Sequence, residues 1–191
     1  MASRQTRLVA DRDEVSKYHG VAMSEAEYLA LPEEKPYLEY IDGVVEQKPM
    51  PDSLHRRLVM FLNHLIYSYV IRVGGDGGPE GRVRLPDGGG YRLPDTAYWV
   101  AGKYSGNDSV PSVVIEVRSD DQSMPELRRK CRSFRANGVD VCWLIDPYRR
   151  WVEVFEGERD GVRLPADAAL ETAIMPGFSV PLAELWAVLD R

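Results

Sequence analysis

Hydrophobic positions along the chain change period several times, and each change marks an element. Ser24 with Glu27 three residues on is a capping-box pattern, which predicts a short helix stopping near Pro32. Leu38-Glu39-Tyr40-Ile41 and Val44-Val45-Glu46 flank Asp42-Gly43, the dipeptide of a tight hairpin. Pro51-Asp52-Ser53 opens the clearest helix, in which His55, Leu58, Val59, Leu62, Leu65, Ile66, Tyr69 and Val70 recur at steps of three and four. Gly74-Gly75 ends it, and its inward face predicts packing on a sheet.

Beyond that helix, Arg82-Val83-Arg84-Leu85 alternates like a strand, Asp87-Gly88-Gly89-Gly90 turns, and Tyr91 to Val100 returns as one further strand. Ser112 to Arg118 reads as a central strand, apolar on both faces. Ser123 to Asn137 reads as a helix with Pro125 in its first turn and Gly138 at its C-cap. Val139 to Ile145 and Trp151 to Phe155 are strands around the turn Asp146-Pro147-Tyr148-Arg149. Pro176-Gly177-Phe178 turns into a closing helix from Leu182 to Leu189. No repeat or linker interrupts the pattern. It predicts a polar N-terminal arm over 1–20 and one mixed α/β domain over 21–191, with helices flanking a central sheet.

A chain of 191 residues suits one domain, and 44% hydrophobic with 28% charged residues is ordinary for a packed globular protein. The net charge of −6 argues against a protein that coats nucleic acid by bulk electrostatics. It leaves room for a DNA enzyme whose local basic patches and bound metal offset the global sign. Cys131 and Cys142 have neither zinc-motif nor redox-motif spacing, so packed, reduced thiols are expected. No apolar run approaches the ~18 residues of a membrane span. The polar N-terminus lacks the apolar core of a secretion signal, and the cytoplasm is the expected compartment.

Charged residues inside apolar surroundings carry the chemistry. Glu116 interrupts the run Val113-Val114-Ile115-Glu116-Val117, and a buried carboxylate must be paired, protonated or bound to a metal. Alternation puts Val114, Glu116 and Arg118 on one face of that strand. From the strand alone, an ion pair with an arginine and a catalytic role stand level. Asp95 would lie beside Glu116 if their strands pair. On the next helix Leu127, Lys130, Cys131 and Phe134 share the single apolar face, so Lys130 points inward. A lysine there forms a structural or an active-site pair, and its pKa can fall far enough to orient or deprotonate water, which arginine does not do. Five basic residues face one acid over 126–135, making Arg128, Arg129 and Arg132 candidate DNA contacts; a solvated helix face is the plain alternative.

Pro94-Asp95, Val114-Ile115-Glu116-Val117-Arg118-Ser119, Lys130, Asn137-Gly138-Val139 and Trp143-Leu144-Ile145-Asp146-Pro147 together resemble a widespread bacterial restriction-endonuclease family. That family belongs to the PD-(D/E)xK nuclease superfamily and is best known from cyanobacteria. Leu38-Glu39-Tyr40-Ile41-Asp42-Gly43, His55 and Pro176-Gly177-Phe178 extend the match over nearly all of the chain after about residue 24. The resemblance implies a restriction-endonuclease-like fold, a mixed central sheet flanked by helices with an N-terminal hairpin extension. It further implies Mg²⁺, replaceable by Mn²⁺, held by Asp95, Glu116 and the Val117 main-chain carbonyl. Arg118 stands where the superfamily pattern has its lysine, and Lys130 matches a lysine that has moved to the following helix. Glu39, His55 and Arg118 are supporting candidates. DNA is the implied partner, and a homodimer suits the cutting of two antiparallel strands. The alternative is an inactive nuclease-like fold kept as a DNA-binding or protein-interaction module. Glycoside hydrolysis could also use two carboxylates, but it has no need of an inward lysine.

Overall fold

The Ser24 hydroxyl accepts from the Glu27 amide while the Glu27 carboxylate accepts from the Ser24 amide, and this reciprocal cap opens α1 (Glu25–Leu29). The computed structural model describes residues 15–79, 81–86, 88, 90–104, 106 and 109–191. The predicted arm lies outside them as far as residue 14, as do Asp87 and Gly89 of the predicted turn. The described part of the arm runs along the first hairpin, where the Gly20 amide donates to Val45 at 2.8 Å. That hairpin, β1 (Leu38–Ile41) and β2 (Val44–Gln47), turns at Asp42 and Gly43, both at positive φ, and sets Glu39 opposite Glu46.

Helix α2 (Ser53–Val73) starts where the Asp52 carboxylate accepts the amides of Leu54 and His55 at 2.7 and 3.1 Å. Four short strands follow: β3 (Asp76–Gly78), β4 (Val83–Leu85), β5 (Gly90–Arg92) and β6 (Thr96–Trp99). Next come β7 (Val113–Val117), α3 (Met124–Ala136), β8 (Val141–Asp146), β9 (Trp151–Glu156) and β10 (Arg159–Arg163). The pair β11 (Ala169–Glu171) and β12 (Ser179–Pro181) and helix α4 (Leu182–Leu189) close the chain.

The main sheet has the order β10-β9-β8-β7-β6-β3, with β7 and β8 parallel through α3 and every other pair antiparallel. One face buries Val113, Ile115, Val117, Trp143 and Ile145 against α2 and α4. The other buries Val114, Cys142 and Leu144 against Leu127, Cys131 and Phe134 of α3. A second sheet, β2-β1-β5-β4, incorporates the hairpin, so the N-terminal extension is half of a four-stranded layer. Among the described residues, no helix is long and apolar enough to cross a membrane.

One predicted strand is divided between the two sheets. Tyr91 to Val100 is not a single strand: β5 pairs with β1 and β4 in the small sheet, while β6 pairs with β3 and β7 in the large one. The chain changes sheets at Leu93-Pro94-Asp95, where Pro94 has no N–H to continue a ladder. Gly90 starts β5 so close to β1 that a Cβ would lie 1.9 Å from the Tyr40 carbonyl oxygen.

Candidate active site

The change of sheet fixes Asp95. Thr96 pairs with Ile115, so Asp95, the residue just before β6, lies beside Glu116 of β7. Asp95 is 2% exposed. Its Oδ1 lies 2.8 Å from Lys48 Nζ, and its Oδ2 lies 3.0 Å from His55 Nε2 and accepts the Val117 amide at 2.8 Å. Burial alone would raise its pKa, but the Lys48 ammonium and the His55 hydrogen bond outweigh it and hold the carboxyl well below the usual range.

Glu116 is 1% exposed, with Oε2 3.1 Å from Lys130 Nζ. Its Oε1 is buried with no hydrogen-bond partner among the described residues. Burial pushes Glu116 up to about 7 against the pull of Lys130, with the Asp95 carboxylate adding to the rise. Lys130 Nζ also lies 3.0 Å from Glu39 Oε1, which accepts the Leu93 amide at 2.8 Å. Glu39 Oε2 is 3.4 Å from Arg92. Burial would raise Glu39, but Lys130 and then Arg92 bring it below its ordinary value. Lys130 itself moves opposite to the direction the sequence suggested. Burial pulls it down, yet Glu116, Glu39 and Asp95 together push it up, so the amine stays an ammonium.

Asp95, Glu116, Lys130, Glu39 and His55 thus form one cluster, bridged by Lys48 and Arg92, which the sequence reading did not single out. The signal for Lys48 lies in the hairpin register. A two-residue turn at Asp42-Gly43 places Glu39 opposite Glu46, and alternation then puts Lys48 on their face. Arg92 follows similarly, one residue past the Tyr40–Tyr91 pair. Val117 enters through its backbone. Arg118 turns elsewhere, donating to the Gln122 carbonyl at 2.9 Å, lying 3.5 Å from Asp146 and covering the Tyr148 ring.

Of the arginines on α3, Arg128 makes a two-pronged bridge to buried Glu153 at 2.6 and 2.7 Å, and Arg132 reaches Asp160 at 2.8 Å. Arg129 is exposed. Cys131 and Cys142 are free and buried behind Glu116, and burial raises the Cys142 thiol. A cavity of about 240 Å³ opens between the hairpin and α3, lined by Glu39, Lys48, Arg92, Gln122, Glu126 and Lys130. Asp95 and Glu116 lie under its lysines.

The donor set suits a hard divalent ion better than zinc. Among the described residues no three His, Cys, Asp or Glu side chains are grouped as a metal site would group them. Two adjacent carboxylates, one with a bare buried oxygen, still match Mg²⁺, which takes one or two carboxylates and fills its octahedron with water and phosphate.

Residues 25–183 match the model of a family, Uma2, described as "Putative restriction endonuclease". Among solved structures, the chain is similar to a "putative nuclease belonging to DUF820" from Anabaena variabilis, with a TM-score of 0.78 and 24% identity over 87% of this chain and 99% of that one. It also matches part of the DrdV–DNA complex at a TM-score of 0.38 and 14% identity, over 68% of this chain and 10% of that one. No curated protein matches.

Proposed function

The chain belongs to the Uma2 family of restriction-endonuclease-like proteins, and from that premise we propose that it is a metal-dependent endonuclease hydrolysing DNA phosphodiester bonds at Asp95, Glu116 and Lys130. The observation that carries this reading is Lys130 Nζ at 3.1 Å from Glu116, on a strand whose neighbour brings in Asp95. Two carboxylates and an ammonium in one buried pocket are costly to maintain for stability alone, since apolar residues of similar volume would serve as well or better.

Asp95, Glu116 and the Val117 carbonyl would hold Mg²⁺ or Mn²⁺. Held there, the ion supplies Lewis acidity to the scissile phosphate and to the attacking water. His55 and the Val117 amide fix Asp95 Oδ2, which leaves Oδ1 to face the reaction. Lys130, anchored between Glu116 and Glu39, orients water and offsets the charge that develops on phosphate. Glu39 and Arg92 position Lys130 from the hairpin side. Two copies related by a twofold axis would present two such sites to the two strands of a duplex.

Plasmid nicking in Mg²⁺ or Mn²⁺ tests this. The wild type should nick and EDTA should stop it. Asp95→Asn, Glu116→Gln and Lys130→Ala should each lower the rate at least about 100-fold, while Arg118→Ala should retain most of it. Nicking that persists in Asp95→Asn and Lys130→Ala would assign the activity to another site or to a contaminant.

A further inference from the structure

Lys48 stands where a metal on Asp95 would have to stand. A carboxylate oxygen has two acceptor positions, and Asp95 Oδ2 uses both, on His55 Nε2 and on the Val117 amide. The atom left for a cation is Oδ1, and Lys48 Nζ lies 2.8 Å from it. On the facing strand, Glu116 Oε1 is buried with no hydrogen-bond partner among the described residues, while Lys130 occupies Oε2. With all three acids ionised, Glu39, Asp95 and Glu116 match the charges of Lys48, Lys130 and Arg92. A divalent ion added to that set would leave two uncompensated positive charges in a buried site. Lys48 can relieve the excess, because its side chain lines the cavity between hairpin and α3 and its four-carbon stem lets the ammonium leave Oδ1 for that cavity. A backbone phosphate in the cavity would receive it.

We propose that Lys48 is a tethered counter-ion that holds the Asp95 Oδ1 position when no metal is bound and yields it to a divalent ion when a phosphate enters the cavity. This rests on the endonuclease reading above. Lys48 keeps the free protein's carboxylate paired and makes metal uptake without DNA weak. Loading then follows arrival of the nucleic acid.

The experiment is calorimetric titration of the full chain with Mn²⁺ alone, for wild type, Lys48→Met and Lys48→Gln, with thermal melts to establish that each is folded. Lys48→Gln keeps an amide donor near Oδ1 and serves if Lys48→Met does not fold. Both variants should bind Mn²⁺ at least tenfold more tightly than wild type without DNA. Their metal-free melting temperatures should fall below wild type, and Mn²⁺ should raise them by more degrees than it raises wild type. Binding equal to or weaker than wild type in a folded variant overturns the role of Lys48 and leaves the endonuclease reading standing. No Mn²⁺ binding by any of the three proteins at millimolar concentration overturns the metal site itself, and Lys48's role with it.

Discussion

Lys130 joins two carboxylates from different layers, Glu116 in the main sheet and Glu39 in the hairpin sheet, at 3.1 and 3.0 Å. Removing its charge leaves both acids buried without that counter-charge, so Lys130→Met should lower stability by about 3–5 kcal/mol in urea unfolding. Loss of activity in that variant therefore has to be read beside its melting curve. Arg128 gives a contrasting case on the same helix. Its two-pronged bridge to buried Glu153 is partly open to solvent, so Arg128→Ala should cost about 2–3 kcal/mol. Exposed Arg129→Ala should change stability by less than about 0.5 kcal/mol. Lys130 was legible in the sequence because one apolar helix face forced its direction. Lys48 and Arg92 were not singled out, because a charged residue at a hairpin edge reads as solvated until the second sheet is known to cover it.

Helix α2 brings His55 to Asp95 from its first turn, so its N-terminus has to be fixed. The Asp52 carboxylate does this through the Leu54 and His55 amides, and it also accepts from the Asp120 amide and the Tyr148 hydroxyl. Burial is the largest single effect and raises Asp52, but the Tyr148 hydroxyl and these amides together outweigh it and hold the carboxyl below its usual pKa. A carboxyl depressed in the folded state stabilises above its unfolded pKa, near 3.9, and loses that contribution as pH falls through the folded value. Asp52→Ala should thus cost about 1 kcal/mol at pH 7, and its deficit against wild type should shrink below about pH 4 in urea unfolding. An unchanged deficit at pH 3 would show that the cap does not depend on charge. Periodicity revealed α2 and α3, each of which buries one face, while β7 and β8 stood out as short apolar runs buried on both faces. It misread Tyr91 to Val100, where two strands of alternating pattern adjoin and only Pro94 marks the passage between sheets. It also missed β10, β11 and β12, and β3, whose glycines carry no pattern; Gly77 is required because a Cβ there would lie 2.7 Å from Ile66 Cγ2.

At the scale of the molecule, two sheets meet over one charged pocket, and that meeting makes the site. The main-sheet half, Asp95 and Glu116, could be read from one carboxylate in an apolar run and a resemblance. The hairpin half needed the three-dimensional contact between layers. Overall charge constrains binding too. The net charge is −6, and Arg128 and Arg132, two of the basic residues of α3, are already engaged by Glu153 and Asp160, so that helix offers less positive charge to DNA than its sequence suggests. Affinity for a short duplex should therefore vary only shallowly with salt, at a log–log slope of roughly −2 to −4, as measured by fluorescence anisotropy. A much steeper slope would point to a basic surface beyond the described residues. Joint metal binding by Asp95 and Glu116 is tested by anomalous diffraction from crystals soaked in Mn²⁺ with a short duplex. A single peak within coordinating distance of both carboxylates, about 2.1 Å, with Lys130 still on Glu116, is the result expected. A peak elsewhere, or none at saturating Mn²⁺ with DNA bound, would contradict it.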